Sequence, residues 1–111
     1  MKLTEAAKIK DRGRYVRKIT YKLINDFDHM WEKGYRKIGW EIGSVIQYAG
    51  DSLGVEVEDL GNIQVKKLAM AALQDMAGHH IVYKKDPERQ QAFSELVKRY
   101  YNDIKSGKLR L

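Results

Sequence analysis

Cysteine is absent from this chain of 111 residues, and proline occurs once. The first absence excludes disulfides, thiolate metal centres and cysteine nucleophiles together, and it fits a reducing compartment. The second, with no serine-rich or glycine-rich tract, leaves nothing that reads as an interdomain linker. Long apolar runs are missing too. The longest, LAMAAL at 68–73, falls far short of the roughly 20 residues needed to cross a bilayer. The opening, MKLTEAAKIKDRGR, has no apolar stretch of signal-peptide length, so a cleaved export leader is not expected. The expectation is a soluble, cytoplasmic protein that keeps off membranes.

What is present suits a folded domain. Apolar residues make up 43% and charged residues 32%, which argues against wholesale disorder, and the length is that of one ordinary domain. Periodicity then predicts an all-α fold, a helical bundle of four to five helices in a single compact domain. The clearest helix lies near the end. Asp86 is placed as N-cap, Pro87 at the first helical position and Gly107 just past the last turn, while Phe93, Leu96, Val97, Tyr100 and Ile104 make one stripe. A second helix is expected over 62–77, between Asn62 and Gly78, with Val65, Leu68, Ala69, Ala72 and Met76 on one face. The opening helix carries Val16, Ile19, Leu23, Phe27 and Met30, and Gly34 follows it. Residues 1–13 read as part of that helix or as a separate basic arm, and 108–111 as a mobile tail. The middle is ambiguous: 35–49 fits a helix, while Ile38, Trp40 and Ile42 alternate as in a short hairpin over 37–49.

Charge is sorted along the chain. Residues 1–40 hold 11 Lys and Arg against 5 Asp and Glu, residues 41–79 hold 2 against 6, and residues 80–111 hold 8 against 4. The ends are basic and the middle acidic. On a helical wheel Lys10, Arg14, Arg17, Lys18 and Tyr21 lie opposite the apolar stripe, with Lys22 at their flank. A solvated face usually mixes signs, with Glu and Lys four apart. Here Arg14, Lys18 and Lys22 stand four apart and repel one another. An anionic partner offsets such a row, and phosphate is the commonest polyanion. The expected partner is therefore nucleic acid, DNA or RNA, gripped without sequence specificity by Lys10, Arg14, Arg17, Lys18 and Lys22. Tyr21, and to a lesser degree Tyr15, are candidate stacking contacts, and Lys84 and Lys85 secondary cations. A small regulator or a packaging protein fits this. The other expectation is a self-assembling homo-oligomer, such as a viral or mobile-element coat or assembly component, whose basic ends dock on acidic middles of neighbouring copies.

Other chemistries find little support. The stretch YAGDSLGVEVEDLGNI at 48–63 resembles the spacing of helix-turn-helix proteins, with Ala49 and Gly50, a turn at Leu53-Gly54-Val55, and Leu60 and Ile63 as anchors. Its reading helix, however, would carry Glu56, Glu58 and Asp59 and no cation, and phosphates repel that set. No role is carried over. His79 and His80 are adjacent and cannot both face one ion from a regular helix, and Asp26, Asp28 and His29 do not share one side, so no metal is expected. Ser44, Ser52, Ser94 and Ser106 sit in no nucleophile setting, and Gly39 and Gly43 lack the Lys-Ser/Thr of a phosphate loop. Neither an enzyme, a cofactor nor a small-molecule substrate is expected.

Overall fold

Tyr15, Ile19, Leu23, Phe27 and Trp31 follow one another at four-residue steps. In the computed structural model, which describes residues 12–111, they form the buried seam of a 21-residue helix, α1 (Arg12–Glu32). The helix stops where Gly34 takes a φ of +95°, which side chains with a Cβ rarely adopt, and the Tyr35 N–H closes on the Met30 carbonyl at 3.0 Å. A non-helical segment leads to α2 (Ile42–Leu53), a 3-10 turn (Val57–Asp59) and α3 (Gly61–Ala77). A 3-10 segment (Gly78–Tyr83) then precedes α4 (Pro87–Ser106). Four α-helices and no strand among the described residues make the fold all-α.

The last helix is punctuated as its sequence requires. The Asp86 carboxylate accepts from the Arg89 N–H at 3.2 Å, Pro87 occupies the first turn, and Gly107 follows Ser106. In the centre lies α3, which packs on both α1 and α4, while α2 rests on α1. Ala69 and Ala72 are fully buried on α3, and their small side chains let the two flanking helices approach it; Met76 fills the space beside them. An aromatic cluster closes one end of this core. Phe93 of α4 meets Phe27 at 5.1 Å edge-on, Tyr83 at 5.2 Å and Trp40 at 6.5 Å between ring centroids.

The middle of the chain keeps the expected helix in part, with Ile42, Val45, Ile46 and Ala49 on its buried side. The helix begins only at Ile42, and the hairpin over 37–49 does not form. Ile38, Trp40 and Ile42 are buried while Lys37, Gly39 and Glu41 are exposed, so the alternation is real. Its partners are helices instead of a second strand. The Trp40 indole N–H donates to the Leu23 carbonyl at 2.9 Å, and the Trp40 backbone N–H donates to the Tyr100 hydroxyl at 2.9 Å. The segment is thus strapped across α1 and α4, with both N–H groups of Trp40 satisfied, one by each helix.

The helix-turn-helix spacing also resolves differently. Residues Glu56, Glu58 and Asp59 belong to a turn, the following helix starts at Gly61, and Ile63, the required anchor, is 72% exposed. Gly50, in the last turn of α2, sits at a close approach to α1 and to the turn that follows. A Cβ there would lie 2.7 Å from the Tyr15 hydroxyl and 3.0 Å from the Val55 carbonyl oxygen, so only glycine lets α1 come this close. Of the segment 1–13, Arg12 and Gly13 belong to α1 and the rest lies outside the described residues. At the other terminus Leu109 packs against the core, and its N–H donates to the Asp103 carbonyl at 2.9 Å.

Candidate nucleic-acid interface

Because the apolar seam of α1 is turned toward α2 and α3, its opposite side is fixed in solvent. Arg14, Arg17, Lys18, Tyr21 and Lys22 come together there with Asn25, and Tyr48 of α2 forms the facing wall of an open groove of about 310 Å³. Lys10 lies outside the described residues. Lys84 and Lys85 do not join the groove. They follow the 3-10 segment whose Tyr83 packs on Phe27, near the C-terminal end of α1. At 1.5 Å per residue, Phe27 lies roughly 20 Å along the helix from Arg14.

Tyr15, a stacking candidate by its position among the cations, is a core residue. It is 2% exposed and donates its hydroxyl proton to the Ile46 carbonyl at 2.9 Å. Burial, and after it the charge of Asp51, push this phenol up to about 12. Its role is to tie α1 to α2. The Trp40–Leu23 bond ties the chain entering α2 to the same helix, so Tyr48 is held at a fixed place beside α1. Neither Tyr48 nor Asn25 is among the residues that the charge pattern of the sequence picks out. Asn25 stands four residues beyond Tyr21, hence on the same helix face, and that spacing alone indicates it. For Tyr48 the only local sign is an aromatic residue off the apolar face of α2.

The electrostatics of the groove are one-sided. Among the described residues Arg14, Arg17 and Lys18 have no carboxylate within 4.0 Å. Lys22 pairs with Asp26 at 3.1 Å, with both side chains about 40% exposed, a geometry that holds a cation weakly. The same ammonium stands 5.3 Å from the centre of the Tyr48 ring.

A second polar cluster, at the far end of α1, is closed instead of open. Arg89 of α4 donates to Asp28 at 2.8 Å and lies 3.5 Å from Glu32, and the Tyr83 hydroxyl donates to the same Asp28 oxygen. Burial foremost, then the hydrogen bond to Asp28, raises the Tyr83 phenol above its ordinary range. Burial by itself would lower Arg89, but the bond and charge of Asp28 outweigh it and keep the guanidinium charged. This cluster joins three elements, and within it the buried Nε of Arg89 has no hydrogen-bond partner.

The histidines have local roles. His79 packs its ring against Tyr83 and Phe93 at 5.5 and 5.7 Å, and His80 Nδ1 lies 2.7 Å from the Ala77 carbonyl. No three metal-ligating side chains cluster among the described residues, and no helix among them is long and apolar enough to cross a membrane. No protein family, no curated protein and no solved structure matches this chain.

Proposed function

We propose that this is a non-catalytic protein that binds nucleic acid by its phosphate backbone, without reading sequence, through the basic face of α1. One observation carries the proposal: Arg14, Arg17 and Lys18 share a groove and lack any carboxylate partner among the described residues, on a helix whose carboxylates all meet cations. Each cation that meets a phosphate releases counterions, which favours binding and makes it sensitive to salt. A small regulator or a packaging protein needs no more than such a grip.

The test is a mobility shift against duplex and single-stranded DNA over a series of salt concentrations. Wild-type affinity falls linearly on a log-log plot, and changing Arg14, Arg17 and Lys18 together to glutamine makes the duplex slope shallower by roughly 0.9 for each phosphate no longer neutralised. An unchanged shift and slope in that variant would overturn the proposal.

A self-assembling reading keeps one observation in its favour. Ile81 and Val82, neighbours on the 3-10 segment, are 62% and 65% exposed, and apolar side chains so placed suit contact between copies. Such a homo-oligomer would serve a viral or mobile-element coat or assembly component. Light scattering without nucleic acid decides it: a monomer mass at tens of micromolar removes this reading.

A further inference from the structure

We propose that the groove selects single-stranded over duplex nucleic acid, with one base stacked on Tyr21 and a neighbouring base on Tyr48. The inference rests on the reading of α1 as a polyanion grip and names the form of polyanion it takes. Two rings of one groove stand open to water, Tyr21 64% and Tyr48 55% exposed. Exposed aromatic faces gain from a flat apolar partner, and unpaired bases supply one whatever their identity. A duplex does not, because its bases already stack on each other and it offers only phosphates and base edges. For duplex binding the cations would suffice and the rings would be idle.

The placement of the rings among the cations matches a strand that alternates phosphate and base. Tyr21 follows Arg17 and Lys18 by four and three residues on α1, so both cations are its neighbours on the helix surface. Tyr48 has Lys22 at 5.3 Å. Each ring therefore has a phosphate contact within a side chain's reach. Asn25, exposed one turn past Tyr21, adds an amide able to bond a base edge. Both rings ride on helices held together by Tyr15 and Trp40, so the backbones that carry them are held in place before the strand arrives.

Fluorescence anisotropy of the full chain with labelled oligo-thymidylate and with a duplex of equal length tests this. The wild type binds the single strand more tightly. Tyr21→Ala and Tyr48→Ala each weaken single-strand binding by about 5-fold to 150-fold and leave duplex binding within about twofold, while Tyr48→Phe keeps most of the affinity. Both rings are at the surface, and circular dichroism confirms that the variants remain folded. Equal or tighter duplex binding by the wild type overturns the inference. So does insensitivity of oligo-thymidylate binding to both alanine variants; if the triple glutamine variant still weakens both ligands, the backbone grip survives and only the stacking fails. If the triple variant weakens neither, the grip fails and the inference falls with it.

Discussion

In the first half of α1, Arg14, Arg17 and Lys18 face solvent with no carboxylate within 4.0 Å among the described residues. In the second half, Asp26, Asp28 and Glu32 each meet a cation, and two of the three are met by Arg89 from α4, more than fifty residues away. One helix thus treats charge in two ways. Around Arg89 charge is matched across elements and drawn partly under the surface; at Arg14, Arg17 and Lys18 it is left unmatched among the described residues. An uneven pattern on one continuous helix cannot be put down to a difference in helix propensity, since Arg, Lys and Glu are all good helix formers. It separates the end of α1 whose charges tie it to α4 from the end whose cations face solvent.

The sharpest way to break this contrast is at Asp28. Its carboxylate serves Arg89 and Tyr83 at once, and the Arg89 side chain is only 17% exposed. Asp28→Ala leaves a mostly buried guanidinium short of its acceptor. A fully buried pair broken this way costs about 3–5 kcal/mol. Because Asp28 keeps 32% exposure, water compensates in part, and a loss of about 2–3 kcal/mol is expected in urea denaturation. The nucleic-acid binding proposed for the other half of α1 is expected to be unaffected in the folded variant. A loss below about 0.5 kcal/mol would place this cluster with ordinary surface pairs and erase the difference between the halves.

Tyr15 sharpens the comparison from the groove side, as a buried phenol beneath the basic row. Tyr15→Phe removes its bond to Ile46 and costs about 1 kcal/mol at neutral pH. The pH dependence has a definite sign. In the unfolded chain the phenol titrates near 10.0, and in the fold near 12. Below pH 10 both states keep the proton and stability is flat; between 10 and 12 the unfolded chain sheds it first, so stability falls as pH rises. The phenylalanine variant lacks that contribution and shows a shallower alkaline decline. Tyr83, also raised, contributes in the same direction, so the slope diminishes without vanishing. An unaltered slope in Tyr15→Phe would mean that the phenol reaches water in the fold.

Local signals explain which parts of this contrast are legible in the sequence. Asp86, Pro87 and Gly107 mark α4 because capping and proline geometry act within a few residues, and the cation row of α1 is visible because a helix face is set by spacing alone. Ile38 and Trp40 mislead for the opposite reason. Their alternation does record an inward-facing segment, but the groups that satisfy it, Leu23 and Tyr100, lie 17 and 60 residues from Trp40 and leave no local trace. Tyr15 stands in sequence between Arg14 and Val16, on the border of the two faces, and its burial follows from the close approach that Gly50 allows. Tyr48 joins the groove only once α2 is docked. The face of a helix is therefore readable from its own residues, and the second wall of a groove is not.

The smallest effect is the one that bears most directly on the unmatched half. Arg14 with Lys18, and Lys18 with Lys22, are like charges four residues apart, and each such pair costs a few tenths of a kcal/mol. Glutamine has nearly the helix propensity of arginine and lysine, so replacing Arg14, Arg17 and Lys18 by glutamine relieves repulsion with little change in the helix itself. The variant melts about 2–4 °C above the wild type at low salt. The gap narrows as salt rises, because the screening length contracts from about 10 Å at 0.1 M to about 3 Å at 1 M. A fold that becomes more stable when its cations are removed is carrying them for contacts outside itself. If the variant melts lower instead, the aliphatic stems of these side chains are covering apolar surface, and the basic half of α1 supports the fold much as the acidic half does.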